Sequence, residues 1–258
     1  MSFIHSFDEM NNIDLIRGPV FETMIRRRGA EVIGLTWKNQ QSDPIGLLWR
    51  NGQLVDPPRW WKNHATILFP IVGGIHDLQS TTTQGDKIRF KKQHGFARHS
   101  VFALLQAREL DGGFEIVYRL EANEETRAMY PWKFSLTIAY LLSTNRLQQT
   151  MTVANRDRRP MPFQLGWHPG FNTPFIKGEK SGCHLRLPRG RTVMLLNDDN
   201  CYLTGEKRNL DLSGDFQFSE DGLDRTYMLD LSTIPPASRI AELRDPDEQI
   251  GIRLHFPD

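Results

Sequence analysis

Alternation with a period of two residues is the pattern that most constrains how this chain can fold. Apolar side chains occupy every second position of FEIVYRLE, residues 114–121. The same spacing recurs in KFSLTIAYLL, residues 133–142, and in QIGIRLHF, residues 249–256. Because successive side chains of a β-strand point to opposite faces, this spacing predicts strands with one buried face.

Shorter segments extend the pattern, and each is bounded by Gly, Pro, Asn or Asp. We predict further strands near residues 31–37, 101–109, 147–154, 161–166, 183–187, 192–196 and 225–231. The tripeptide Asp245-Pro246-Asp247 is typical of a hairpin turn. No long segment combines helix caps with a helical stripe. We therefore expect an all-β protein, a large antiparallel β-sandwich forming a single domain over residues 1–258, with functional side chains on a concave face or rim loops.

Charge and length narrow the class of ligand. The 258 residues include 32 basic and 31 acidic side chains, for a formal net charge of +1. This balance is not typical of proteins that bind nucleic acid or an anionic membrane, and it suits a small-molecule ligand. The N-terminal segment has neither the basic nor the apolar stretch of a signal peptide, so we expect a cytoplasmic protein.

Common metal and nucleotide motifs are missing. Eight histidines are present, but none forms a His-x-His pair or a His-Glu-x-x-His helix motif. The chain also lacks a phosphate-binding Gly-x-x-x-x-Gly-Lys loop and a Gly-x-Ser-x-Gly elbow. We expect no metal and no cofactor.

Two histidines remain as candidates for acid–base chemistry. His94 lies in QHGFAR, residues 93–98, and His168 lies in GWHPGFN, residues 166–172. Imidazole exchanges protons near neutral pH. Aromatic residues near the two motifs, namely Phe96, Trp132, Trp167 and Phe171, would suit the apolar face of a sugar ring. The alternative is that both histidines cap turns beside glycine and that these aromatic residues belong to the core.

The order of several motifs resembles one known family. LFPIVGGI at 68–75 precedes QHGFAR at 93–98, MYPWKFSLTIAYLL at 129–142 follows, and MTVANRDRRPMPFQLGWHPGFN at 151–172 closes the series. This series resembles the aldose 1-epimerase (galactose mutarotase-like) family, most closely its bacterial hexose-epimerase branch. The resemblance is specific over residues 60–175 and looser beyond them.

The resemblance implies a galactose mutarotase-like supersandwich that interconverts the α and β anomers of a hexose or hexose phosphate. His168 matches the histidine that protonates the ring oxygen, and His94 matches a second histidine that binds the sugar and polarises the same region. Arg98 would contact a hydroxyl or a phosphate. Asp224 lies roughly where the family has a sugar-binding aspartate, and a carboxylate at a strand edge is the alternative.

The sequence departs from the family pattern in two places. Gly74 stands where the family often has an arginine that reaches the sugar. The family's general base, a glutamate in a Glu-Pro-Trp context near the C-terminus, has no counterpart, and Glu220, Glu242 and Glu248 lie in other contexts. We therefore also expect the family's last C-terminal strands to be missing, which would leave edges that a homodimer partner would cover.

These departures leave three hypotheses. The first is an epimerase-type isomerase with His168 as the acid and an unidentified base. The second is a catalytically impaired sugar-binding protein of the same fold. The third is a truncated gene product.

Overall fold

The computed structural model describes residues 2–38, 43–54, 61–176, 178–188, 192–198, 202–210, 214–218, 227–229 and 231–256. The chain divides into two compact units, Met1–Asn172 and Thr173–Asp258. Within the described residues, every ladder between strands is antiparallel.

Strands dominate the first unit. In chain order they are β1 (Ile4–Asp8), β2 (Ile13–Arg17), β3 (Phe21–Arg26), β4 (Glu31–Trp37), β5 (Ile45–Gly46), β6 (Ala65–Leu68), β7 (Gln79–Thr81), β8 (Lys87–Arg89), β9 (Ala103–Leu110), β10 (Gly113–Glu121), β11 (Phe134–Ser143), β12 (Leu147–Asn155) and β13 (Gly166–Pro169). Among the described residues of this unit, one helix, α1 (Glu124–Met129), and two 3-10 turns, His76–Leu78 and Ala97–His99, interrupt the strands.

Two sheets of the first unit enclose its core. One has the order β1-β2-β3-β4-β5 and the other the order β12-β11-β10-β9, while β6 pairs with β13 and β7 with β8. The predicted alternation along β10 and β11 is confirmed, because the apolar residues of one face are buried: Phe114, Ile116, Tyr118, Leu120, Phe134, Leu136, Ile138, Tyr140 and Leu142. They join residues of the other sheet in one apolar cluster. Each such side chain contributes roughly 1.5–3 kcal/mol on burial.

Buried hydroxyl groups connect the two sheets. The Tyr118 hydroxyl on β10 donates to Asp14 on β2 at 2.9 Å, and the Tyr140 hydroxyl on β11 donates to the Ala30 carbonyl at 2.7 Å. These polar groups satisfy one another inside an apolar core, where an unpaired group would be costly. They therefore favour one relative placement of the sheets.

The segment before β13 differs from its prediction. Residues 161–165, predicted as part of a strand at 161–166, join no ladder. Pro160 and Pro162 have no N–H group to donate to a neighbouring strand. Their carbonyl groups instead accept hydrogen bonds from the Trp132 indole and the Tyr130 hydroxyl, at 2.9 and 2.7 Å. These anchors fix the approach of the chain to β13, which carries His168.

The described residues of the second unit form two further sheets. Its strands are β14 (His184–Leu187), β15 (Thr192–Asn197), β16 (Leu203–Leu210), β17 (Gly214–Gln217), β18 (Tyr227–Leu229), β19 (Ile240–Arg244) and β20 (Gly251–His255). Their orders are β17-β14-β19-β20 and β16-β15-β18. The predicted turn after β19 is confirmed, since the Glu248 N–H donates to the Asp245 carbonyl at 2.8 Å.

No helix among the described residues is long and apolar enough to cross a membrane.

Candidate functional site

His94 lies in a loop whose backbone requires a glycine at the next position. Both His94 and Gly95 have positive φ, 66° and 69°. Histidine tolerates this left-handed region better than most residues. At Gly95 an added Cβ would overlap the Phe69 carbonyl oxygen. That oxygen already accepts the Phe96 and Ala97 N–H groups, at 3.1 and 3.2 Å, so it cannot easily move.

Two hydrogen bonds join His94 to Gly73. The Gly73 N–H donates to His94 Nδ1 at 2.8 Å, and the His94 N–H donates to the Gly73 carbonyl at 2.7 Å. Because a backbone N–H can only donate, Nδ1 must be the unprotonated nitrogen of the ring. The proton of the neutral imidazole is therefore on Nε2, which makes Nε2–H a hydrogen-bond donor.

The electrostatic surroundings keep His94 neutral. Burial, then the Arg98 guanidinium and then His168, lower the pKa of His94 to about 4. At neutral pH the ring is uncharged, in agreement with the tautomer that Gly73 imposes. His94 can donate to an oxygen atom of a ligand without carrying a charge.

His168 lies across from His94. It is on β13, opposite Thr66 on β6, and its side chain is exposed. The centres of the two imidazole rings are 6.5 Å apart, with an interplanar angle of 64°. The Trp61 indole contacts His168 from another side, at 4.8 Å between ring centres. The two predicted histidines therefore do lie together.

Arg98 lies in the 3-10 turn that follows His94. Its Nη2 donates to the Gln93 carbonyl at 3.0 Å and its Nε donates to His99 Nε2 at 3.2 Å. Burial lowers the pKa of Arg98. These bonds hold the guanidinium beside residues 93–95, the histidine loop that carries His94.

Further positive charge surrounds the 3-10 turn. Burial, followed by Arg98, Lys92 and Arg28, lowers the pKa of His99 to about 4. Arg28 and Lys92 are exposed. Lys91 differs, since it pairs with Glu125 at 2.7 Å on the surface. Lys92, Arg98 and Arg28 thus form a cationic group around His99, to which Lys91 adds little.

The described glutamates that were considered as a base are engaged in ion pairs with arginines. Glu242 accepts from Arg253 and Arg244, at 2.6 and 3.0 Å; although burial opposes ionisation, these hydrogen bonds lower its pKa. Glu248 accepts from Arg186 at 2.6 Å. Both are thus ion-paired carboxylates beside the hairpin turn. Glu220 and the proposed sugar-binding Asp224 lie outside the described residues.

One group of side chains has the spacing of metal ligands. Ligand atoms of His184, Asp215 and Glu248 lie within 4.8 Å of one another. Arg186, however, donates to Asp215 at 2.9 Å and to Glu248 at 2.6 Å. A guanidinium in this place already neutralises the carboxylates that a cation would need. We assign this cluster as an ion-pair network.

The aromatic residues that the sequence suggested as sugar faces have structural roles. Phe96 and Trp132 are buried in the core, and the Trp167 indole donates to the Ala65 carbonyl at 3.1 Å. Phe171 packs against the same core. Among the described residues, the tryptophan that contacts a candidate histidine is Trp61, which the sequence motifs did not indicate. Its place shortly before the LFPIVGGI motif was the only signal.

Comparison with known proteins identifies the family. The family model for aldose 1-epimerase matches residues 13–256. The chromosomal LacX protein of Lactococcus lactis subsp. lactis is 27% identical over 218 residues, which are 78% of this chain and 68% of that protein.

Solved structures agree with this match. A galactose mutarotase related enzyme from Lactobacillus acidophilus is 26% identical, with a TM-score of 0.75 over 93% of this chain and 76% of that one. A galactose mutarotase-like protein from Lactobacillus casei, 24% identical, shares the fold with a TM-score of 0.76 over 95% and 80% of the two chains. The expected mostly β, antiparallel, galactose mutarotase-like fold is thus confirmed, and the chain belongs to the aldose 1-epimerase family.

Proposed function

We propose that this protein interconverts the α and β anomers of a hexose, with His168 as the acid. The observation that carries the proposal is the pairing of an exposed histidine with a neutral histidine whose tautomer is fixed. Ring opening requires a proton on the ring oxygen as the C1–O5 bond breaks. The pair supplies a proton donor in His168 and a hydrogen-bond donor in His94 Nε2–H.

The proposed sequence of steps begins with the sugar bound against His94 and Arg98. His168 protonates the ring oxygen, the C1 hydroxyl loses its proton, and the C1–O5 bond breaks to give the aldehyde. Rotation about C1–C2 and closure by the reverse transfers give the other anomer. In this proposal solvent accepts the C1 hydroxyl proton. General-base assistance is typically worth ~10²–10⁴-fold, so we expect only modest acceleration.

NMR exchange between the anomers of glucose and galactose tests the proposal. We expect the wild-type protein to accelerate exchange and His168→Ala to lose most of that acceleration. His76→Ala is a matched control, because that histidine is 82% exposed and hydrogen-bonds neither His94 nor His168 in the described structure. Equal exchange rates in wild type and His168→Ala, with every substrate tried, would refute the assignment of His168 as the acid.

The second candidate function is sugar binding without turnover. It is favoured by the arginine partners of Glu242 and Glu248, the two described glutamates that were considered as the family's base. It predicts saturable sugar binding in calorimetry with no acceleration of exchange. Exchange at the buffer rate together with no detectable binding would contradict both candidates.

The state of phosphorylation of the substrate is a separate question. Arg28, Lys92 and Arg98 supply positive charge around His99, in the 3-10 turn that follows His94, which supports a hexose phosphate. The experiment compares anomer exchange of hexose 6-phosphates with that of the free sugars. It uses the wild type, Lys92→Gln and, as a matched control, Lys91→Gln. A phosphate-specific loss in Lys92→Gln alone would support the phosphorylated substrate, and equal behaviour of the two variants would support the free sugar.

A further inference from the structure

We infer that Trp61 is a positioning residue for His168, and that Gly170 and Trp49 form the socket that holds its indole. The catalytic consequence of this inference rests on the proposed function. The structural part, that Trp61 fixes the orientation of the His168 ring, stands on contacts in the first unit alone.

The His168 side chain lacks the polar contacts that usually fix an imidazole. Pairing of β13 with β6 places its backbone opposite Thr66, but the side chain is exposed. In the part of the chain that the structure describes, its ring nitrogens have no hydrogen-bond partner. Its ring contacts are aromatic, to Trp61 at 4.8 Å and to His94 at 6.5 Å between centres. His94 has its own bonds to Gly73, so Trp61 is the nearer and larger constraint on His168.

A short chain of hydrogen bonds links the backbone of Trp61 to Gly170. The Trp61 carbonyl accepts the Trp49 indole N–H at 3.1 Å. The Trp49 backbone N–H donates to the Gly170 carbonyl at 2.9 Å, and the Gly170 backbone N–H donates to the His64 carbonyl at 2.7 Å. The socket therefore joins the segment that carries Trp61 to the end of the strand that carries His168.

Gly170 is required in the socket because a larger side chain would not fit against the Trp61 indole. A Cβ at this position would lie 2.7 Å from Trp61 Cζ3 and 3.1 Å from Trp49 Cβ. No positive φ is involved, unlike at Gly95. A substitution at Gly170 would therefore displace Trp61 without straining the local backbone.

The contact suits a histidine that carries a proton. An aromatic face attracts a cation, and an indole does so more strongly than a phenyl ring. A fixed orientation also aims the proton at one place, which catalysis by proton transfer requires. The same indole is therefore suited to hold His168 in its neutral and protonated forms.

The first test is NMR of the histidine ring protons in wild type, Trp61→Phe and Trp61→Leu. The indole ring current should shift the His168 resonances, and Trp61→Leu should move them toward the values of an exposed histidine. Trp61→Phe should retain part of the shift. The exposed His76 serves as an internal control that should not move. Unchanged His168 resonances in Trp61→Leu would overturn the inference.

The second test is a double-mutant cycle on the socket. Gly170→Ala should lower the melting temperature in the wild-type background but much less in the Trp61→Leu background, since leucine removes the atom that the new Cβ meets. Equal losses in both backgrounds would show that Gly170 does not act through Trp61.

Anomer exchange separates the two proposals. If the wild type is active, Trp61→Leu should lower kcat about tenfold with a smaller change in KM, and Trp61→Phe should restore part of kcat. A rise in KM alone, with His168 resonances unchanged, would make Trp61 a surface for the sugar and would overturn its positioning role. An inactive wild type with shifted His168 resonances would refute the proposed function and leave the structural inference intact.

Discussion

Two groups of polar residues in the first unit use histidine in opposite ways. Around Asp14, the buried carboxylate accepts from Arg27 at 2.8 and 3.0 Å, from the Tyr118 hydroxyl at 2.9 Å, and contacts His5 at 2.9 Å. At the His94–His168 pair, backbone and aromatic contacts hold the rings, and neither ring meets a carboxylate among the described residues. The first group uses its hydrogen-bonding capacity internally, while the second leaves His94 Nε2–H and the His168 ring available to a ligand.

The difference distinguishes a histidine that completes an internal network from one that keeps a free hydrogen-bond donor. His5 completes the set of donors around a carboxylate whose pKa stays low; burial opposes ionisation, but the hydrogen bonds from Arg27, His5 and Tyr118 outweigh it. His94 has a lowered pKa with no acid partner, because burial and neighbouring cations act alone. A neutral histidine with one nitrogen bound by backbone is prepared to donate.

The largest expected effect comes from breaking the Asp14 network. Asp14→Asn leaves Arg27 without its partner charge and should lower the free energy of unfolding by about 4 kcal/mol. Urea denaturation measures this loss, and Asp8→Asn on the exposed surface of β1 is the control. We expect anomer exchange per folded molecule to stay unchanged. An unaltered urea midpoint in Asp14→Asn would show that the hydrogen bonds around Asp14 do not stabilise the fold.

The histidine loop should be next in sensitivity. Gly95→Ala combines a positive φ with the clash against the Phe69 carbonyl, and should cost about 2 kcal/mol or more of folding stability. Gly112→Ala is a matched control, because Gly112 also has positive φ, 75°, but no atom within 4 Å of the added Cβ. It should cost about 1 kcal/mol. Equal losses would mean that the Phe69 carbonyl does not restrict the loop.

The dependence of stability on pH should distinguish His94 from an ordinary histidine. The unfolded chain takes up a proton near pH 6.5 at this residue, but the folded chain does so only near pH 4. The contribution of neutral His94 to stability is therefore present above pH 6.5 and lost as the pH falls toward 4. His94→Asn, which tolerates positive φ, should make this loss shallower in urea titrations at several pH values.

Part of the slope should remain in that variant. Burial is also the largest cause of the lowered pKa values of His99 and His64. The same stability profile in wild type and His94→Asn would contradict the neutral state of His94.

The smallest effect is expected at the surface pair of Lys91 and Glu125. Both side chains are largely exposed, so their attraction is screened by water and salt. Lys91→Gln should leave the urea midpoint and the exchange rate unchanged. A clear loss of activity in Lys91→Gln would extend the functional region to a residue that the comparison places outside it.

The sequence predicted some parts of the fold and of the candidate site better than others. The strand at 31–37 matches β4 (Glu31–Trp37), because its pattern is local. The prediction at 161–166 was wrong for residues 161–165, where the two prolines limit pairing. The motifs indicated His94 and His168 but not Trp61, since no local pattern records which indole meets an imidazole more than a hundred residues away.

What the sequence determined by itself is therefore the class of fold, the buried faces of the strands and the two histidines. Alternation and turn residues act between near neighbours, so they can be seen in the order of the residues. Only the tertiary structure decided the tautomer of His94, the engagement of Asp14 and the contact of Trp61 with His168. Each depends on segments far apart in the chain, and the packing of the sheets and loops sets those distances.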